Sequence, residues 1–125
     1  MESPFRTNND ILWSDDDRVI CHTDQRHANV GGTIHGGVMA TMLDSVMGGL
    51  VIRALPDDRT AVTSSLTVNY LDPGYVGDVL VATGTIRRLG RTTAFVDATL
   101  TRQDDDTPLA TATGVFAIIV RTSPS

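Results

Sequence analysis

The sequence predicts an α+β fold in which a curved antiparallel sheet wraps around one long central helix. From Gly37 to about Ala54, apolar residues recur every three or four positions and also fill other faces, which is typical of a helix buried nearly all round. Four strand-like segments separated by turn sequences follow. With 125 residues and 41% hydrophobic content, the chain can form one ordinary core, so we predict a single domain over residues 1–125.

The elements before the helix are short. Residues 1–17 are polar and include three consecutive aspartates, so we expect a loosely ordered lead-in, with at most a short strand or helical turn at 11–13. The segment RVICHT, residues 18–23, is the first predicted strand. It contains the sole cysteine, Cys21, which we expect to be a buried, reduced thiol rather than a nucleophile.

The four segments after the helix alternate with a period of two. In AVTSSLTVNY, strict alternation places the apolar side chains on one face and the hydroxyl side chains, Thr63 included, on the other. The segments DVLVATGTIRRL, TTAFVDATLTRQ and PLATATGVFAIIV follow and reach about ten residues or more, longer than most strands. Glycines within them, Gly84 and Gly114, predict a strongly curved sheet with bulges or a close approach to the helix.

Charge and hydropathy exclude several classes of partner. Fifteen acidic residues against ten basic ones disfavour binding to nucleic acids and anionic membranes. The longest apolar stretch, residues 36–55, is interrupted by Asp44 and Arg53, which argues against a membrane span. The first ten residues lack the pattern of a secretory signal, so we expect a cytoplasmic location.

The segment NVGGTIHGGVMATMLD, residues 29–44, carries the polar groups with the strongest chemical signal. Asp44 lies inside the predicted helix among apolar residues, where an unpaired charge is costly, so it is either a reactive carboxylate or the cap of a buried donor. Gly36 and Gly37 start the helix and offer backbone N–H groups at the positive end of its dipole, unless they form only a flexible turn.

His35 leaves three interpretations open: a catalytic base, a metal ligand, or a residue that fixes the turn. Three scattered histidines and one cysteine do not give the spacing of a metal site, so we expect no metal. The chain has no G-x-S-x-G sequence, so a serine hydrolase triad is not supported either.

Together with AVTSSLTVNYLDP (61–73) and LGRTTAFVDA (89–98), the 29–44 segment resembles the hotdog-fold acyl-CoA thioesterases of the phenylacetic acid degradation (PaaI-like) group. The resemblance implies a hotdog fold with five to six strands around the helix. It implies a homodimer with a continuous sheet, assembling into a homotetramer. The activity it implies is hydrolysis of an acyl-CoA thioester to free CoA and a carboxylic acid, with no cofactor beyond the CoA of the substrate.

Site residues carried over from this resemblance divide into two groups. Near the thioester carbonyl, Gly36 would donate its N–H, Asn29 would assist, and His35 would position the turn or contact the carbonyl. Asp44 would act as general base or nucleophile, and Thr63 would orient the attacking water.

The hairpin RRLGRTT, residues 87–93, borders the nucleotide end of CoA in the group that this sequence resembles. The resemblance implies contacts to CoA from Arg88, Gly90, Arg91 and Thr92, with Gly37 adding a backbone contact at the helix start. Guanidinium and backbone N–H groups suit phosphates, although a solvated hairpin tip explains Arg88 equally well.

Two alternative functions stay open at this point. One is a hydratase or dehydratase of the same fold, whose own histidine and acid motif is missing here. The other is a non-catalytic module that binds acyl thioesters. The acyl group itself is not specified, although the helix methionines, Met39, Met42 and Met47, together with Leu43, are expected to line its pocket.

Helix geometry predicts that each site is built from two chains. Gly36 and Asp44 are eight residues apart, which is about 12 Å along a helix axis. A carbonyl oxygen lies about 3 Å from its hydrogen-bond donor, and a base must reach the same reacting group. We therefore expect Gly36 of one subunit to act with Asp44 of its partner across a two-fold axis.

Overall fold

The computed structural model describes residues 3–122. In chain order its elements are α1 (Pro4–Asn8), β1 (Ile11–Trp13), β2 (Val19–His22), a 3-10 turn (Gln25–His27), α2 (Gly36–Arg53), β3 (Arg59–Tyr70), β4 (Val79–Leu89), β5 (Thr93–Arg102) and β6 (Thr107–Val120). The six strands form one antiparallel sheet in the order β1-β2-β4-β5-β6-β3, which curves around α2. This is the hotdog fold that the resemblance implies.

Helix α2 forms where the apolar pattern predicts it and is buried against the concave face of the sheet. The two internal strand glycines allow its close approach. A Cβ on Gly84 would lie 2.9 Å from Leu50 Cδ1, and one on Gly114 would lie 3.0 Å from Met47 Cε, both on side chains of α2. The expected close contact is therefore confirmed, whereas the described bulges lie at other positions in β3, β4 and β6.

The side chains along α2 fill the core. Met42, Leu43 and Met47 are completely buried among strand residues and border none of the three clefts described below, so their place in an acyl pocket stays a prediction. Met39 is also nearly buried, but it borders a surface cleft at the start of the helix. Within residues 3–122, no helix is both long and apolar enough to cross a membrane.

The N-terminal segment is more ordered than expected. Strand β1 forms at the residues 11–13 where the sequence allowed a short strand, and α1 together with the complete burial of Ile11 adds order that the sequence did not predict. Strand β1 pairs with β2 in the register Ile11↔Cys21, which no local pattern in the sequence reveals. Residues 1 and 2 lie outside the described part of the chain.

Residues 24–27 fasten this N-terminal segment. Asp24 donates its backbone N–H to Nδ1 of the buried His27 at 2.9 Å, so the other ring nitrogen carries the hydrogen and donates to the Asn9 carbonyl at 2.6 Å. Arg26 forms ion pairs with Asp24 and Asp10. Its side-chain hydrogen bonds lower the pKa of Asp24 to about 2.

Trp13, the sole tryptophan, packs directly on α2 and gives a first prediction. A Cβ on Gly49 would lie 2.1 Å from its ring, so Gly49→Ala should displace Trp13 and lower the free energy of unfolding by about 1–3 kcal/mol through overpacking. We expect a red-shifted Trp13 emission and a lower urea midpoint. Gly48→Ala is the matched control, because its Cβ would face Phe116 at 3.2 Å; a shift of Trp13 emission in that variant alone would contradict the packing described.

A bulge in β3 corrects the predicted alternation. Thr63 pairs with Phe116 and Ser65 with Val115, so Ser64 is the extra residue between them. The bulge reverses the faces on its N-terminal side, and Thr63 therefore points toward α2, on the same face as the partly buried Leu66. The strict period of two wrongly placed Thr63 on the opposite face.

Candidate active site

The central contact of the candidate site joins α2 to β3. Thr63 donates its hydroxyl hydrogen to Asp44 Oδ1, with 2.7 Å between the oxygens. Asp44 is half-buried and borders a cleft of about 320 Å³. The carboxylate thus has a hydroxyl partner, and the structure brings these two sequence-predicted residues together.

At the start of α2, His35 determines which backbone donor is free. Its Nδ1 accepts the Gly37 N–H at 2.9 Å, so the imidazole caps the helix. This is the structural role among the three considered for His35. The Gly37 N–H, predicted to contact the substrate, is occupied in this arrangement. Among residues 3–122, the Gly36 N–H has no hydrogen-bond partner and borders a cleft of about 310 Å³.

Tyr70 fixes the position of Gly36 and was missed by the sequence reasoning. Its hydroxyl donates to the Gly36 carbonyl at 2.7 Å. A Cβ on Gly36 would lie 3.2 Å from that hydroxyl oxygen, which explains why a glycine suits the position. The signal was available in the segment Asn69-Tyr70-Leu71, where an aromatic residue with a polar tip ends a strand.

Asn29 closes the turn before the helix. Its Nδ2 donates to Thr33 Oγ1 at 2.8 Å, and its Oδ1 accepts the Gly31 N–H at 3.0 Å. One Nδ2 hydrogen is left for another acceptor, since an amide carries two. The side chain therefore supports the loop that leads to Gly36 and has one donor to spare.

The two halves of the predicted site lie apart within one chain. Gly36 borders one cleft with Ile34 and Tyr70, whereas Asp44 and Thr63 border another, and the two sets of lining residues do not overlap. The structure therefore brings Asp44 to Thr63 but does not bring either of them to Gly36 in the same chain.

A third cleft, of about 590 Å³, lies at the C-terminal end of α2. Gly90 and Arg91, two of the residues predicted to contact CoA, line it together with Arg59, which the sequence did not indicate. Arg88 and Thr92 do not border this cleft. Gly90 donates its N–H to the Thr93 carbonyl at 2.9 Å, and a Cβ on Gly90 would lie at the same distance from that oxygen.

Comparison with known proteins identifies the family. The family model described as "Thioesterase superfamily" matches residues 31–109, which is more than half of the chain. This protein belongs to the thioesterase superfamily. The matched part of this superfamily member contains Gly36, Asp44, Thr63 and the 87–93 hairpin.

Relatives of this thioesterase-superfamily chain include the PaaI protein that gives the resemblance its name. Acyl-coenzyme A thioesterase 13 of Mus musculus is 29% identical over 89 residues, covering 70% of this chain and 63% of the relative. Acyl-coenzyme A thioesterase PaaI of Escherichia coli is 30% identical over 73 residues, covering 58% and 50%. The chain thus spans about half to two thirds of the length of these curated relatives.

A solved structure of the BH2602 protein from Bacillus halodurans with CoA has the same fold as this superfamily member. The TM-score is 0.88 at 29% sequence identity, covering 95% of this chain and 78% of that chain.

Proposed function

We propose that this protein is a thioester hydrolase that cleaves acyl-CoA to free CoA and a carboxylic acid. The observation that carries the proposal is the hydrogen bond from Thr63 to Asp44 beside an open cleft. A half-buried carboxylate positioned by a hydroxyl group suits general-base or nucleophilic catalysis. The family membership and the relatives named as acyl-CoA thioesterases support the same reaction.

Asp44 can promote hydrolysis by either of two routes. As a base, it accepts a proton from a water held by Thr63; the resulting hydroxide adds to the carbonyl carbon, the C–S bond breaks, and CoA leaves as a thiolate. As a nucleophile, a carboxylate oxygen of Asp44 adds to the carbonyl, CoA leaves, and water hydrolyses the mixed anhydride. In both routes Thr63 keeps the carboxylate oriented toward the reacting carbon.

Gly36 would stabilise the carbonyl oxygen as it becomes negative. Its N–H has no partner among residues 3–122 and stands at the positive end of an 18-residue helix. His35 occupies the next N–H, and Tyr70 anchors the Gly36 carbonyl, so a single donor is preorganised. Asn29 can add its spare amide hydrogen.

A homodimer would unite the two halves of the site. Strand β3 is an edge of the sheet over 12 residues, and its exposed side chains include Val62 and Tyr70. An edge strand of this length is a template for pairing with another chain. Pairing β3 with its two-fold copy would extend the sheet and allow Gly36 of one chain to face Asp44 of the other. Assembly into a tetramer stays a prediction; analytical ultracentrifugation tests it by measuring the molar mass of the assembly in solution.

The decisive experiment is to incubate the purified protein with aromatic, short-chain and long-chain acyl-CoA substrates and to follow thiol release with a colorimetric thiol reagent. Burial, aided by Asp10 and Asp24, raises the pKa of Cys21 to about 11, so the folded protein should not react with the reagent near pH 8. Release of CoA from at least one substrate supports the proposal. Tight binding without thiol release from any of them would favour the non-catalytic module instead.

Arg91 provides a prediction for the nucleotide subsite. Its cleft lies at the C-terminal end of α2, beyond the Asp44 carboxylate along the helix, so Arg91→Ala should raise KM for acyl-CoA more than it lowers kcat. We expect about a tenfold rise in KM, the effect of losing one charge-assisted contact. Arg87→Ala is the matched control, because Arg87 pairs with Asp97 at 3.4 Å and does not line the cleft. If Arg91→Ala lowers kcat/KM for small acyl thioesters that lack the nucleotide as much as it does for acyl-CoA, the assignment of Arg91 to the nucleotide subsite is wrong.

A further inference from the structure

Arg6 of α1 borders the same cleft as Asp44, and the proposed mechanism gives it no role. Its Nη1 is buried and has no hydrogen-bond partner among residues 3–122. A guanidinium stays charged at every pH at which proteins are folded, and a buried donor on a charged group is costly when unpaired. Arg6 thus brings a guanidinium to the edge of the Asp44 cleft, and at least one donor of that guanidinium is accepted by no residue among 3–122.

Asp44 is not that acceptor in this structure. Its Oδ1 binds the Thr63 hydroxyl on the β3 side of the cleft, while Arg6 Nη1 stays unpaired. Apart from Ser45, the rest of the lining is small or apolar: Gly48, Gly49, Ile52, Ala61, Val62 and Phe116. Such a lining suits the hydrocarbon part of an acyl group and leaves the Arg6 guanidinium as the group that can recognise a polar end.

The backbone that carries Arg6 is held on both sides of the residue. Ser3 Oγ accepts the Arg6 N–H at 3.3 Å and so caps α1. After Arg6, Arg26 Nη1 donates to the Asn8 carbonyl at 3.0 Å, and His27 Nε2 donates to the Asn9 carbonyl at 2.6 Å. These contacts hold the backbone that places Arg6 at the edge of the cleft.

We propose that Arg6 selects acyl groups that end in a second carboxylate, so that ω-carboxyacyl-CoA thioesters are the preferred substrates. This inference rests on the proposed thioester hydrolysis. A carboxylate matches the donor fork of a guanidinium better than any neutral group does. In this cleft a second carboxylate would lie near the Asp44 carboxylate and would need a cation to offset their repulsion. Arg6 is the only cationic side chain among the described residues that line the cleft.

The test compares substrates that have equal carbon number and differ only at the far end. Adipyl-CoA is paired with hexanoyl-CoA, and suberyl-CoA with octanoyl-CoA; kcat/KM is measured for the wild type, Arg6→Met and Arg6→Lys. For at least one pair, the wild type should prefer the carboxylated member. Arg6→Met should lower that preference by about 10- to 100-fold, the range for a charge-assisted hydrogen bond. Arg6→Lys should retain part of it, because the charge stays but the fork is lost.

Phe5→Ala is the matched control, because Phe5 is on the same helix and is 61% exposed. It should leave the preference unchanged. An equal preference in the wild type and Arg6→Met would overturn the inference. A weaker dimer in Arg6→Met with no change in preference would also overturn it, and would place the acceptor of Arg6 in the partner chain.

If none of the four substrates releases CoA while other acyl-CoA thioesters are hydrolysed, the inference alone fails. If no thioester is hydrolysed, the proposed function fails, and calorimetric affinities of the same pairs then decide the role of Arg6.

Discussion

Asp44→Ala should lower kcat by at least about a hundredfold, the usual minimum for the loss of a positioned acid-base group, and by more if the carboxylate is the nucleophile. The structure gives the reason, because Asp44 is half-buried, oriented by Thr63 and open to a cleft. Alanine is also a better helix former than aspartate, so the variant should unfold at or above the wild-type temperature. Steady-state kinetics and thermal unfolding measure the two effects separately.

A matched carboxylate controls for the loss of one negative charge. Asp97 lies on β5, is partly exposed and pairs with Arg87 at 3.4 Å, away from the cleft. Asp97→Ala should therefore keep wild-type turnover. Near wild-type turnover in a folded Asp44→Ala variant would remove Asp44 from the mechanism.

Gly36→Pro should lower kcat by about 10²- to 10³-fold, the cost of removing one donor to a developing oxyanion. Proline deletes the N–H and is favoured at the first position of a helix, which Gly36 occupies. The preceding residue, His35, has φ −58° and ψ 132°, values that suit a residue before proline. We therefore expect the protein to fold with its stability intact while activity is lost.

Gly36→Ala separates the donor from the shape of the turn. Alanine keeps the N–H and adds a Cβ that would lie 3.2 Å from the Tyr70 hydroxyl oxygen. Proline adds the same Cβ but lacks the N–H. Most of the loss should therefore be seen in the proline variant alone. Equal losses in the two variants would assign the effect to the crowding of Tyr70 rather than to the missing donor.

The sequence predicted those elements whose signals are local. Helix α2 agrees with the prediction within one residue at each end, because its apolar side chains and starting glycines are contiguous in the chain. Strands β3 to β6 were likewise predicted from alternation and turns. A short strand at 11–13 was allowed for, but its pairing with β2 and its packing on α2 were not predicted, since both depend on contacts distant in the chain, such as that of Trp13 with Gly49.

The candidate site was predicted by residue but not by contact. Resemblance named Asp44 and Thr63, while strict alternation pointed Thr63 the wrong way, because a bulge at Ser64 depends on register with β6. His35 was left with three roles, since only the folded structure places its ring nitrogen beside the Gly37 N–H. Nothing in the spacing of residues along the sequence indicates that Arg6, in the N-terminal segment, borders the same cleft as Asp44.

The most direct test of the two-chain site is complementation between two inactive variants. A chain with Asp44→Ala keeps its donors, and a chain with Asn29→Ala and Gly36→Pro keeps its carboxylate; each alone should be nearly inactive. After co-refolding at equal amounts, half of the dimers should be mixed, and each of these should contain one intact site of two. Activity should then recover to about a quarter of the wild-type value at the same total concentration. If native mass spectrometry shows mixed dimers while activity stays at the level of the separate variants, the site is not shared between chains and the account is wrong.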